Sequence, residues 1–294
     1  MRQDIIGYRN TPQTDVSRVA TAAGLAILET IRCRQATCAG GQAMAIDRTI
    51  WTEAFAAEQF PTFPCPRCNR GRVAFDKTSL VTEEPKYSDL LHQEDGWEPN
   101  YTVERFSVRL RCPEQTCGEI VIVSGNTAWI ETVDEEYGWG FTSVLRPTMM
   151  FPSPPIIPLP KDTPSEVEEK MRSAFGLFWF DLGSSANSLR MSVEFLLDHL
   201  KVPRTSMSKK TGKLVELTLN NRIQYYEKSN PGHGETFSAL RMIGNLGSHE
   251  ASLTREALLD AFEIYEDALS EIIGGRSAYL DAIKKKIIAS KGKY

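Results

Sequence analysis

The chain has 294 residues, of which 41% are hydrophobic and 24% are charged, an ordinary globular balance in a length sufficient for two domains. The formal net charge of −4 excludes a generally basic nucleic-acid binder, although local basic patches stay open. No apolar run approaches the roughly 20 residues that span a bilayer. We therefore expect no membrane partner and a cytoplasmic location, where cysteines bind metal more often than they form disulfides.

Residues 1–47 differ in composition from the rest of the chain, and we interpret them as a poorly ordered N-terminal extension. Cys33 and Cys38 lie in this segment. They have the spacing of a metal-ligand pair but lack a second pair beside them, so we interpret them as unpaired thiols.

Residues 48–145 are expected to form a β domain. Residues 106–110 alternate apolar and polar side chains, as in a half-buried strand. Residues 119–123 are a compact apolar strand candidate, and residues 129–131 and 140–142 predict a further pair of strands.

Two cysteine pairs inside this β domain point to a metal. They are Cys65-Pro-Arg-Cys68 and Cys112-Pro-Glu-Gln-Thr-Cys117. A short turn can direct two sulfurs at one ion, and two such turns complete the tetrahedron of thiolates that Zn²⁺ prefers. Because four thiolates leave no open position, we predict a structural zinc ribbon, with a strand-and-loop insertion between the pairs. The alternative, four free core cysteines, fits poorly with the turn residues around each pair.

Residues 146–163 are interpreted as a linker, because their six prolines disfavour helix and central strand. From residue 164 onward the apolar period changes from two to 3.6, so residues 164–294 are expected to be entirely helical. Within them, Leu214, Leu217 and Ile223 predict a third helix.

One tract of the helical part carries candidate catalytic residues. Arg241, Asn245 and His249 are spaced four apart and would share one helix face. Arg190 and Glu194, also four apart, can pair on an earlier helix. A histidine can transfer protons at neutral pH, and an arginine can grip a scissile phosphate. The alternative is structural, because the same polar cluster can lock helices together.

The chain resembles the domain-of-unknown-function 4145 family, part of the HEPN-like superfamily. Four stretches carry the resemblance: Lys161-Asp-Thr-Pro-Ser, Ser188-Leu-Arg-Met-Ser-Val-Glu194, Gly244-Asn-Leu-Gly-Ser-His249 and Glu256-Ala-Leu-Leu-Asp-Ala-Phe. The cysteine pairs agree with it, because members often have a zinc ribbon before this domain. The resemblance implies an α+β chain, in which a zinc-ribbon β domain precedes an all-α HEPN-like up-and-down helical bundle.

The resemblance also implies a bacterial or archaeal origin and an association with restriction, phage-defence or toxin–antitoxin systems. Active members of the superfamily are metal-independent endoribonucleases whose site forms at a dimer interface. Their motif has arginine, a polar residue, three variable positions and histidine. Here Asn245 and His249 match, whereas Gly244 stands at the arginine position, and Arg241 or Arg190 would have to substitute.

Three functions follow as expectations. The first is a non-catalytic or regulatory module of a nucleic-acid-linked defence or toxin system, in which the zinc ribbon and the basic segments 208–213 and 284–293 contact RNA, DNA or a partner protein. The second is an endoribonuclease that uses His249 with Arg241 or Arg190. The third is a structural dimerisation protein, and the resemblance favours a homodimer formed through the helical part.

Overall fold

The computed structural model describes residues 46–68, 70–134, 138–208, 210–246 and 253–293. The predicted extension therefore lies outside the described residues except for its last two positions, and Cys33 and Cys38 lie outside with it. Among the residues described, no helix combines the length and the apolar character that a membrane crossing requires.

The first part of the chain forms an antiparallel six-stranded sheet. Its strands are β1 (Phe63–Pro64), β2 (Arg72–Phe75), β3 (Val81–Glu83), β4 (Arg105–Arg111), β5 (Ile120–Asp134) and β6 (Gly138–Phe151). The order is β1-β2-β4-β5-β6, and β3 pairs with the same edge of β4 as β2 does. A short helix, α1 (Lys86–Leu91), lies between β3 and β4. Single 3-10 turns cover Arg48–Ile50, Ala57–Gln59, Lys77–Ser79 and Pro99–Tyr101.

The predicted alternation is confirmed in β4, where Phe106, Val108 and Leu110 are buried and the residues between them are exposed. The predicted strand pair is confirmed by the register of β5 and β6, in which Ile130 lies opposite Thr142. β6 continues through residues 146–151, which the sequence assigned to the linker. Pro147 fits there because β6 is an edge strand and the register shifts beside it.

Six helices follow the sheet in the part of the chain that the structure describes. They are α2 (Ser165–Leu177), α3 (Leu182–His199), α4 (Leu219–Ser229), α5 (Gly234–Leu246), α6 (Arg255–Ile272) and α7 (Arg276–Ala289). Side-chain caps begin three of them, because Asp181, Thr218 and Thr254 each accept a hydrogen bond from a backbone N–H of the first turn.

The expectation of a β domain followed by an all-α bundle is wrong, because the helices are interrupted by a hairpin of β7 (Thr205–Met207) and β8 (Leu214–Glu216). The spacing of Leu214 and Leu217 predicted a helix here. However, Leu214 is 65% exposed, so its spacing marks no core-facing stripe, and α4 begins only after the Thr218 cap. The fold is therefore mixed α/β.

Buried apolar residues connect the sheet and the helices in one continuous core. The ring centroid of Trp51 lies 5.4 Å from the ring centroid of Phe63, 6.0 Å from that of Phe178 and 5.8 Å from that of Trp179. The guanidinium of Arg255 lies 4.5 Å from the centre of the Phe178 ring, which adds a cation–π contact from α6. The core of the sheet thus extends into the helical part.

Replacement of Trp51 by alanine is expected to lower the free energy of unfolding by about 3–5 kcal/mol, because it leaves a cavity where both parts of the core meet. Urea denaturation followed by far-UV circular dichroism measures this. Trp139→Ala is the matched control, since Trp139 is 78% exposed whereas Trp51 is 2% exposed. Equal, small effects of the two substitutions would contradict a shared core.

Candidate functional site

The sulfurs of the two predicted cysteine pairs lie together. Sγ of Cys65 is 3.7 Å from Sγ of Cys117, and Sγ of Cys68 is 3.8 Å from Sγ of Cys112. All four sulfurs lie within 4.8 Å of one another. A tetrahedral ion with metal–sulfur bonds of about 2.3 Å has sulfur–sulfur edges of about 3.8 Å. The geometry therefore fits a single metal ion bound by four thiolates.

Two backbone turns hold these sulfurs. Cys65 and Cys68 lie between β1 and β2, where the amide of Gly71 donates to Sγ of Cys68 at 3.4 Å. Cys112 and Cys117 lie between β4 and β5, and the backbone N–H of Cys112 donates to the carbonyl oxygen of Glu119 at 2.8 Å. The long insertion between the pairs contains β2, β3, α1 and β4, so the sheet itself brings the turns together.

Gly71 is a residue of this site that the cysteine spacing did not reveal. A Cβ atom at this position would lie 2.7 Å from Sγ of Cys112 and 2.8 Å from Cγ of Glu114. A side chain would therefore displace a sulfur from the tetrahedron. The signal in the sequence is only a glycine three residues after the second cysteine, which by itself is a common turn residue.

The thiols differ in acidity before a metal binds. Backbone N–H groups of Gly71 and Arg70 lower the pKa of Cys68 to about 6, because they stabilise the thiolate. Burial raises the pKa of Cys112 to about 12 and also raises the pKa of Cys65. A bound cation must displace the proton of Cys112, so metal affinity is expected to rise with pH.

A second cluster contains Glu84, Asp89 and His92, whose ligand atoms lie within 4.8 Å of one another. Nε2 of His92 lies 2.9 Å from Glu84, and Nζ of Lys86 lies 2.6 Å from Asp89. Each ligand atom thus has a protein partner, and the group is open to solvent. We interpret this cluster as a set of ion pairs that stabilises α1.

The predicted pair on α3 is confirmed, because Nη2 of Arg190 lies 2.9 Å from Oε1 of Glu194. Nη1 of Arg190 also donates to Oδ1 of Asn187 at 3.4 Å. Gly244 on α5 lies directly against this arginine: a Cβ at position 244 would be 2.4 Å from Cβ of Arg190 and 3.1 Å from the carbonyl oxygen of Ala186. The arginine of α3 therefore occupies the space beside the motif glycine.

No hydrogen bond or ion pair joins Arg190 to Arg241 or Asn245 in the described part of the chain. Asn245 is exposed, and Arg241 is half-buried one turn earlier on α5. Neither forms a hydrogen bond or ion pair with a described residue, and the Nε of Arg241 is buried without an acceptor there. His249 lies outside the described residues, so its predicted face with Asn245 stays a prediction.

Replacement of Gly71 by alanine is expected to weaken metal binding roughly 10- to 100-fold, as other changes beside metal ligands do. Titration of the metal-free chain with Co²⁺, followed by thiolate-to-metal charge-transfer absorption, measures the affinity. Gly140→Ala is the matched control, because a Cβ at that position would meet no heavy atom within 4 Å. Unchanged affinity in Gly71→Ala would show that the sulfurs are not held as closely as the geometry requires.

Two different family models match the two parts of the chain. Residues 53–150 match the family model described as Domain of unknown function (DUF8608), and residues 172–291 match the one described as Domain of unknown function (DUF4145). No curated protein and no solved structure gave a significant match. The predicted resemblance of the helical part to the 4145 family is confirmed over residues 172–291, and the four cysteines fall within the residues matched by the 8608 family.

Proposed function

We propose that the protein is a zinc-stabilised, non-catalytic interaction module of a prokaryotic nucleic-acid-linked defence or toxin system. The cellular setting is supported by the resemblance of residues 172–291 to the 4145 family. The observation that carries the non-catalytic role is the packing of Arg190 against Gly244. The proposed zinc ion is supported separately, by the close approach of the four cysteine sulfurs.

Zinc is the metal that best suits the cysteine cluster. Four thiolates in a tetrahedron are typical of structural zinc sites, whereas a catalytic zinc retains an open position for water or substrate. When bound, the ion would supply a cross-link between the β1–β2 and β4–β5 turns and no reaction chemistry. The cysteines of the two pairs would hold it: Cys65, Cys68, Cys112 and Cys117.

The non-catalytic role follows from how the arginine near the motif is used. Active HEPN-like ribonucleases have an arginine where this chain has Gly244. Arg190 fills the adjacent space, but Nη2 and Nη1 of its guanidinium are engaged by Glu194 and Asn187 within α3, and its Nε is buried without an acceptor among the described residues. An arginine that grips a scissile phosphate needs its parallel donors directed at the ligand. The arrangement favours a cluster that ties α3 to α5.

One observation favours the alternative of an endoribonuclease. The Nε of Arg241, like that of Arg190, is buried without an acceptor among the described residues, and Arg241 lies one turn before Asn245. In a dimer, an RNA phosphate bound beside this arginine would accept a hydrogen bond from it. In that case Arg241 and His249 would be the catalytic residues.

The full-length chain is expected to contain about one zinc ion per protomer by elemental analysis, because the cysteine cluster forms a single site. Cys65→Ser is expected to lose the ion. The matched control is the double variant Cys33→Ser and Cys38→Ser, which removes two cysteines that are not among the four proposed ligands and is expected to retain the ion. Loss of zinc in the control with retention in Cys65→Ser would refute the proposed ligands.

Neither the wild type nor His249→Ala is expected to cleave RNA in the presence of a metal chelator that leaves the zinc bound. The assay follows fluorescent single-stranded RNA on denaturing gels. Cleavage by the wild type that disappears in His249→Ala and in Arg241→Ala, but persists in Arg190→Ala, would establish the ribonuclease alternative. Circular dichroism confirms that each variant is folded.

A further inference from the structure

The exposed side of the central sheet carries arginines from two strands. In β4, exposed and buried residues alternate, so Arg105, Arg109 and Arg111 point away from the core. The register places Asn126 of β5 opposite Arg105, and Arg146 of β6 opposite Asn126. Directly opposed residues of an antiparallel pair project to the same side. We call this surface, with its four arginines, the arginine face.

Exposed apolar and aromatic side chains lie among these arginines. Ile122 of β5 lies opposite Arg109, and Phe151 of β6 lies opposite Ile122. Phe151 is 71% exposed. Toward the other end, the hydroxyl of Tyr87 accepts a hydrogen bond from Nη2 of Arg105 at 3.2 Å. Flat rings thus flank the guanidinium groups at both ends of the face.

The arginine face retains excess positive charge in a chain whose formal net charge is −4. Two carboxylates lie at its edge: Asp76, whose Oδ2 is 3.8 Å from Nη2 of Arg109, and Glu83, which lies opposite Arg105. Arg111 and Arg146 form no hydrogen bond or ion pair with any residue that the structure describes. Side-chain hydrogen bonding lowers the pKa of Asp76, and the charge of Arg111 helps Arg109 to lower it further from a distance, whereas the charge of Arg146 is available to an anionic ligand.

The spacing suits an extended polyanion. Residues two apart on a strand lie roughly 7 Å apart on the same face, so Arg109 and Arg111 present their charges in a row. This distance is similar to that between successive phosphates of an extended single strand. Aromatic side chains beside such a row stack on bases, which single strands expose and duplexes hide. An acidic peptide would satisfy the arginines but would leave the rings without a role.

We propose that the arginine face binds single-stranded nucleic acid, with Arg109, Arg111 and Arg146 at phosphates and Phe151 stacked on a base. The proposal deepens the proposed function by naming a surface and a ligand class for it, and to that extent it rests on the nucleic-acid-linked role. It assigns binding to the sheet and not to the basic segments 208–213 and 284–293 that the sequence suggested.

Fluorescence anisotropy with labelled oligothymidylate and oligouridylate tests the proposal, since the two probes distinguish DNA from RNA. The wild type is expected to bind at low salt, with log affinity falling by about 0.7 per phosphate contact for each unit of log salt concentration. The double variant Arg109→Gln and Arg111→Gln is expected to reduce that slope by about 1.4, and Arg146→Gln by about 0.7. Phe151→Leu is expected to weaken binding at least about fivefold through lost stacking.

Two matched controls use other parts of the surface. Lys285→Gln with Lys293→Gln removes two charges from the basic C-terminal segment, and Phe180→Leu changes a phenylalanine that is 79% exposed in the helical part. Both are expected to bind like the wild type. Zinc content and circular dichroism are measured for every variant. Because Arg146 forms no ion pair with a described residue and is distant in sequence from the cysteines, its variant keeps the test valid if the double variant is misfolded.

Several results would overturn the proposal. They are absence of binding by the wild type at low salt, equal binding by all variants, and loss of binding only in the lysine control. Sedimentation velocity adds another, because a dimer that dissociates in the arginine variants would make this face a contact between copies. These failures differ from failure of the non-catalytic role, which the His249-dependent cleavage assay alone decides.

Discussion

The rest of the structure depends on the close approach of four sulfurs, whose arrangement is compatible with a metal site. Cys65 and Cys112 begin turns that are far apart in the sequence, yet all four sulfurs lie within 4.8 Å of one another. The turns lie beside each other because β2 pairs with β4, where Ala74 is opposite Arg111. In this arrangement Cys112 and Glu114 leave no room for a side chain at Gly71. A bound ion would therefore stabilise the strand pairing, the curvature of the turns and the exposed face of β4 together.

The effect of this constraint extends to the helices through adjacent residues. Phe63 precedes the first cysteine turn and packs with Trp51 and Trp179, with ring centroids 5.4 Å and 5.7 Å away. Arg172 of α2 donates to the carbonyl oxygen of Pro66 inside that turn at 3.4 Å. The regions of the chain that match the two family models thus contact each other at the cysteine cluster, and are not joined only by the residues between them. A change at the metal centre is expected to alter the position of α2 as well as the sheet.

The local sequence predicted the structural features that depend on local geometry. The features that it did not predict depend on how strands pair in the tertiary structure. The cysteine pairs and the alternation in β4 were readable because turn chemistry and strand period act over a few residues. The hairpin containing Leu214 was not, because an exposed strand of three residues has no buried face from which its period could be read. The strand through Pro147 required knowledge that β6 is an edge. The arginine face required the register that brings Arg146 and Phe151 beside β4.

The four clustered cysteines fit a structural ion, the Arg190 cluster ties α3 to α5, and the arginine face is the surface proposed to bind another molecule. A closed centre of four thiolates is the central claim. X-ray absorption spectroscopy of the zinc in the full-length chain tests this most directly. The account predicts four sulfur ligands at about 2.3 Å. Nitrogen or oxygen ligands replacing any of these sulfurs would contradict it.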